Sequence, residues 1–249
     1  MNTQATLEQL QELRLDGMAR SYEAILQLPV NKHPDAHTML GQLTQHEKEW
    51  KNEKRTQLYL RLSKLRYSAS LEQIQCTKTR NLKKEQIVAL ADCSYIDRAE
   101  NVLITGSTGC GKSFLACALG NQACLHGYKA LYLNMNRFVE QITVAKLEGR
   151  YINILNRMQR IPLLILDDFG LQPLEPTTRL ALLQILEDRY QRKSIVIASQ
   201  LPINKWHEYI SDDTLADAIL DRLTANIHRI ELKGPSLRKN SRLKTENHC

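Results

Sequence analysis

Hydrophobic spacing changes character near Asn101. Upstream, apolar residues recur every three or four positions; downstream, short apolar runs alternate with helical stretches. Residues 5–28 read as a helical hairpin. Leu7, Leu10 and Leu13 follow Thr6, which with Gln9 predicts a capping box, and Leu15-Asp16-Gly17 interrupts. Met18, Tyr22, Ile25 and Leu26 then share one face of a second helix, and Pro29 to Pro34 form a linker. From Asp35 a long polar helix is predicted, with Leu40, Leu43 and Trp50, then Leu58, Leu62 and Leu65, as its apolar stripe. Short helices follow over 68–100, most clearly Leu82 to Leu90. Strands are expected at 101–105, 129–134, 163–168, 194–199 and 228–232, separated by helices. This alternation predicts an α/β fold, a five-stranded parallel sheet flanked by helices, behind a smaller all-helical N-terminal domain. The expected division is 1–67 and 68–249, with 68–100 as a connecting segment.

Composition adds little, but charge distribution changes the picture. In 249 residues, 43% hydrophobic and 24% charged content is that of an ordinary globular protein. No apolar stretch approaches the length that spans a bilayer, Leu163 to Leu166 being strand-sized, and no secretory leader is visible, so a cytoplasmic protein without a membrane role is expected. Six cysteines, at 76, 93, 110, 117, 124 and 249, form no C-x-x-C pair and read as free, mostly buried thiols. The net charge of +7 is concentrated in two places. Residues 44–84 carry eleven Lys/Arg against four Glu, and residues 222–249 carry seven against two acidic residues. Such segments suit a polyanion such as nucleic acid. Lys51, Lys54, Arg55, Arg61, Lys64 and Arg66, interleaved with Trp50, Tyr59 and Tyr67, are the candidate phosphate contacts. Each neutralised phosphate steepens the salt dependence of binding by about 0.9 log units.

The sharpest chemical signal is Gly106-Ser107-Thr108-Gly109-Cys110-Gly111-Lys112-Ser113, which fits G-x-x-x-x-G-K-[ST] between a predicted strand and a predicted helix. Glycines let backbone N–H groups turn inward around phosphate oxygens, and the helix N-terminus adds positive potential. Lys112 is placed to reach the β/γ-phosphates and the Ser113 hydroxyl to ligate Mg²⁺. Fifty-five residues after Lys112, the apolar run Leu163 to Leu166 ends in Asp167-Asp168, a Walker B pattern. Asp167 then belongs to the Mg²⁺ shell and Asp168 orients or deprotonates the attacking water. The next strand ends in Ser199-Gln200, either of which could bond the γ-phosphate or the water.

Together these motifs resemble an AAA+ ATPase. More narrowly, LPINKWHEYISDDTLADAILDRL, HRIELKGPSLRK and the N-terminal LEQLQELRLDGMARSYEAIL are similar to the IstB-like ATP-binding proteins of insertion sequences, relatives of DnaC-type helicase loaders. The resemblance spans nearly the whole chain. It implies that Arg222 is an arginine finger acting in trans on a neighbouring subunit's γ-phosphate, and Arg238 a sensor-two arginine acting in cis. It implies that Gln200 occupies the sensor-one position and that 136–160 is the extra helix of initiators and loaders; about 17 residues follow the last expected strand, so a reduced C-terminal lid is expected. The implied cofactors are ATP and Mg²⁺. The implied partners are duplex DNA, bound largely without sequence preference, a co-encoded transposase, and further copies in an ATP-dependent oligomer, an open spiral. The implied function is an ATP-dependent transposition regulator that delivers target DNA; a replicative helicase loader is the related alternative. Asp168 stands where such ATPases usually carry Glu, and Gln200 where Asn or Thr is commoner, so slow or partner-stimulated hydrolysis is expected. A small-molecule kinase shares the loop but leaves the basic segment and Arg222 without a role.

Overall fold

The computed structural model describes residues 3–237. The chain divides into two compact units, Met1–Leu58 and Tyr59–Cys249. The division falls inside the long helix, earlier than the boundary after residue 67 expected from the sequence.

The first unit is helical: α1 (Thr3–Glu12), α2 (Asp16–Leu26) and most of α3 (Ala36–Ser63). Thr6 is not an N-cap, because α1 already begins at Thr3, so the expected capping box is absent. The capped helix is α3, where the Asp35 carboxylate accepts from the backbone N–H groups of His37 (3.0 Å) and Thr38 (3.1 Å). Gly17 lets α2 approach α3 backbone to backbone: a Cβ there would lie 2.7 Å from the Glu47 Cα and the His46 carbonyl oxygen. The Met18 N–H donates to the buried Glu47 carboxylate at 3.0 Å, which also pairs with Lys51 at 3.1 Å.

The second unit opens with α4 (Lys84–Ala91) and α5 (Ser94–Asp97), then alternates strands and helices. In order these are β1 (Asn101–Gly106), α6 (Lys112–Leu125), β2 (Ala130–Asn134), α7 (Met135–Leu147), α8 (Tyr151–Arg160) and β3 (Leu163–Phe169). There follow α9 (Pro176–Arg189), β4 (Ser194–Ser199), α10 (Trp206–Ile210), α11 (Asp213–Thr224) and β5 (Ile227–Leu232). All five strands are parallel, in the order β2-β3-β4-β1-β5. The stretch 136–160, expected as one extra helix, is two, because Gly149 adopts φ +68° between α7 and α8.

Strand periodicity assigns each apolar side chain to one of two cores. Val102, Ile104, Ile165 and Val196 face α6, packing on Leu115, Cys117 and Leu119. Leu103, Leu164, Leu166 and Ile197 face the other layer, among Phe138, Met158, Leu182 and Ile219. β1 to β4, buried on both faces, are near-continuous apolar runs, which is why their positions were legible, whereas the edge strand β5 is half exposed. The topology brings the carboxyl ends of β3 and β1 to either side of β4, so the segments after β1, β3 and β4 share one edge.

Candidate active site

The phosphate loop leaves β1 and enters α6 through two left-handed glycines, Gly109 (φ +80°) and Gly111 (φ +96°). A Cβ at Gly109 would collide with the Ser236 hydroxyl, and at Gly111 it would lie 2.8 Å from an Arg80 nitrogen. Another residue at either position would be strained by the positive φ, and at Gly109 also by the Ser236 side chain. Lys112 is only 6% exposed, and its ammonium donates to the Ser107 carbonyl at 2.9 Å. A lysine has three donors, so two remain for an anion seated in the loop. The loop is held from outside by contacts that sequence reasoning missed. Arg80 donates to the Cys110 carbonyl at 2.9 Å, and the Leu237 N–H donates to the Gly109 carbonyl at 3.0 Å.

Across the edge, β3 carries a register irregularity between Leu166 and Phe169, which re-aims the two carboxylates between them. Asp167 is fully buried, and its Oδ2 accepts from the Tyr132 hydroxyl at 2.6 Å. Burial, then this hydrogen bond to a carboxylate, raises the Tyr132 phenol far above its ordinary pKa. Asp168 takes a left-handed backbone, φ +60°, and its N–H donates to the Asp167 Oδ1 at 2.9 Å. Its Oδ2 accepts from the Asn134 amide at 2.5 Å and lies 3.6 Å from Arg66 Nη1. A non-glycine residue in this region stores about 1–3 kcal/mol of strain, which the surrounding bonds must hold. At the end of β4 the two open candidates separate. The Ser199 hydroxyl is buried, donates to the Phe169 carbonyl at 2.7 Å and accepts from the Leu201 N–H at 3.0 Å. Gln200 instead reaches the phosphate loop, its Oε1 accepting from the Thr108 hydroxyl at 2.7 Å.

The set fits a nucleotide with its metal. The loop offers backbone donors, a buried ammonium and the Ser113 hydroxyl, and Asp167 and Asp168 lie across the same strand edge. Magnesium bound to phosphates needs only one or two protein oxygens, which Ser113 and Asp167 could supply.

Arg222 lies elsewhere. The Asn101 amide, at the start of β1, donates to the Arg222 carbonyl at 3.3 Å, whereas the phosphate loop follows the far end of that strand. Five strand steps separate those ends by about 17 Å. The Arg222 guanidinium rests against Glu187 (3.3 Å) and Asp221 (3.6 Å). Arg238 lies outside the described residues. Among the basic candidates, Lys51 pairs with Glu47, Lys54 sits 4.6 Å from the Trp50 ring centroid, and Arg66 is drawn to Asp168. Arg55, Arg61 and Lys64 are exposed. Three further cations, Lys129, Arg157 and Arg160, line a groove of about 450 Å³ with Tyr59 and Leu62. Sequence reasoning missed them because no local charge run marks them.

Sheet order, phosphate loop and carboxylate pair define a P-loop protein of the AAA+ class. The fold is similar to that of the replication initiator DnaA bound to AMPPCP and single-stranded DNA, with a TM-score of 0.59 and 22% identity, over 74% of this chain and 57% of that one. This chain thus spans little more than half of the initiator. The DnaC helicase loader is also similar, with a TM-score of 0.54 and 16% identity over 67% of this chain and 98% of that chain. At the sequence level, the model of IstB-like ATP binding proteins matches residues 8–245. An insertion-sequence ATP-binding protein of Sinorhizobium fredii is 40% identical over 240 residues, covering 96% of this chain and 98% of the relative. One from Pseudomonas fluorescens is 41% identical over 203 residues, covering 81% and 88%. The chain belongs to the IstB-like ATP-binding family.

Proposed function

We propose that this protein is an ATP-dependent transposition regulator. It binds ATP with Mg²⁺ in the loop 106–113, assembles through that nucleotide on duplex DNA, and presents the DNA as target to a co-encoded transposase. Hydrolysis then weakens the assembly and releases the DNA. The observation that carries this reading is the separation of Arg222 from the phosphate loop of its own subunit by the length of β1. An arginine finger so placed serves a neighbour, which makes ATP a cement between subunits. Assembly then multiplies weak DNA contacts into tight binding.

Within one site, Lys112 and the loop N–H groups bind the phosphates, and Ser113 and Asp167 hold the metal, partly through water. Mg²⁺ held there would supply neutralisation of the phosphate charge. Asp168 orients the attacking water, and Gln200, already at the loop, contacts the γ-phosphate. Arg238 is proposed as the sensor-two contact; the Leu237 N–H bond to Gly109 supports this, since it brings the preceding residue to the loop. Insertion-sequence relatives across nearly the whole chain favour transposition over helicase loading.

The test is Lys112→Ala, followed by nucleotide titration and by imaging with duplex DNA and a non-hydrolysable ATP analogue. Loss of ATP binding together with DNA-bound assembly is expected. Retention of both sinks the proposal.

A further inference from the structure

The two stretches that carry the excess positive charge, residues 44–84 and 222–249, are joined by the fold at one edge of the sheet. β5 is an edge strand, and the segment 80–86 runs along its outer side in the opposite direction. The Lys233 N–H donates to the Arg80 carbonyl at 3.0 Å, the Asn81 amide to the Glu231 carbonyl at 2.9 Å and the Gln86 amide to the Arg229 carbonyl at 3.3 Å. The segment is also anchored at its start, where the Arg80 guanidinium donates to the Cys110 carbonyl at 2.9 Å and the Gln75 carbonyl at 3.0 Å. Residues 78–86 and 229–233 together hold six Lys/Arg against two Glu, and no aromatic residue. Lys78, Lys83, Lys84, Arg229 and Lys233 are exposed. Lys233 lies 3.5 Å from Glu231. The other four have no carboxylate within ion-pairing distance among the described residues.

Neither helix stability nor edge protection accounts for these cations. Lys83 and Lys84 stand at the start of α4, where the helix dipole disfavours positive charge and favours an anion. The outer side of β5 is already capped by the segment 80–86, so charged side chains are not needed there to block strand pairing. We propose that this surface binds the phosphate backbone of duplex DNA, with Lys78, Lys83, Lys84 and Arg229 as the contacts. The inference rests on the DNA-binding reading above and specifies where on the second unit that DNA lies. Lysine offers a compact charge on a flexible stem, which suits phosphate without reading bases. A protein partner is the weaker fit, because protein–protein interfaces are depleted in lysine and enriched in the aromatic residues that this surface lacks.

The test measures the affinity of the full chain for a fluorescent duplex oligonucleotide by anisotropy, with a non-hydrolysable ATP analogue present, over a series of salt concentrations. K78Q/K83Q/K84Q should bind more weakly. Its slope of log affinity against log salt should be shallower by about 0.9 for each contact removed, about 2.7 in all. K78R/K83R/K84R should keep the wild-type slope. So should K32Q/R192Q/K205Q, which removes three exposed cations outside both basic stretches. Thermal unfolding and affinity for the ATP analogue should stay unchanged in all three, since none of these residues belongs to the nucleotide site. The single lysine variants, each read against a shift of about 0.9, cover any failure of the triple variant to fold. An unaltered affinity and slope in K78Q/K83Q/K84Q overturns the surface. An equal change in K32Q/R192Q/K205Q also overturns it, as an effect of net charge alone. Loss of ATP-dependent self-assembly without DNA overturns it in favour of an acidic face on a neighbouring copy, such as Asp213, Asp217 and Asp221 of α11. Failure of the wild type to bind duplex DNA removes the DNA-binding reading itself. Wild-type binding with an unaltered triple variant removes only this surface.

Discussion

Arg189 is 1% exposed, and no carboxylate is within ion-pairing distance of it among the described residues. Its guanidinium instead donates to the carbonyls of Met158 (2.6 Å), Ile161 (2.7 Å), Pro162 (3.2 Å) and Ser194 (2.5 Å). One side chain thus closes the end of α8, the approach to β3 and the start of β4. Burial pushes its pKa down to about 9. Methionine fills similar volume but leaves four carbonyl groups without this donor. R189M should therefore lose about 1–3 kcal/mol in urea unfolding for each carbonyl left unsatisfied, with the nucleotide affinity of the remaining folded protein unchanged. An unfolding midpoint equal to wild type would contradict the clamp. Nothing in the sequence marks Arg189, which reads as a basic last-turn residue complementing a helix dipole. The same blindness hid Arg66 and Arg80, whose partners are distant in sequence. The positions of Lys112, Asp167 and Asp168, at a tight loop and a strand end, were legible because local spacing fixes them.

The strands were legible, the half-exposed edge strand β5 included, and helices that bury little were blurred. Each expected strand lies within two residues of the observed one at either end. The first helix was misjudged at its start because α1 buries no residue, so its bounds follow weak local propensity. The division within α3 was also hidden, since a continuous helical pattern carries no mark of where packing partners change. Between elements, the entry to β1 is tied to β5 by polar contacts that make a pH prediction. Glu100 accepts two bonds from Arg98 (2.7 and 3.0 Å) and lies 2.7 Å from His228 of β5. Arg98 chiefly, with His228, holds its carboxyl down to about 2, from an ordinary 4.5, against the opposing effect of burial. A depressed carboxylate pKa stabilises the fold above the unfolded-state value, and the contribution fades as pH falls toward the folded-state value. E100Q should accordingly unfold at lower urea than wild type at pH 7 and pH 5. The gap should narrow below about pH 4.5 and close near pH 2. A gap independent of pH would assign the cost to packing.

For the whole molecule, the proposed action of Arg222 on a neighbour requires that one folded chain hold the parts of two half-sites, and the length of β1 between Arg222 and its own phosphate loop fits this. Heterologous, head-to-tail contacts of this kind let each copy complete the next. R222A retains Lys112, Asp167 and Asp168 but offers no finger; D168N retains the finger but cannot orient water. Each variant alone should hydrolyse ATP far more slowly than wild type, by a factor reaching ~10³ or more where a finger is removed. When they are mixed in equal amounts with duplex DNA, a D168N subunit can present Arg222 to the intact carboxylates of an R222A neighbour. Random assembly gives that pairing at about a quarter of the interfaces. The mixture should therefore recover roughly a quarter of wild-type hydrolysis per subunit, and lose it on dilution below the assembly concentration. Recovery that survives dilution would show that the assembly persists at that concentration, since a finger acting within its own chain could rescue neither variant. No recovery at any concentration, with assembly on DNA intact, would overturn the action of Arg222 on a neighbouring subunit.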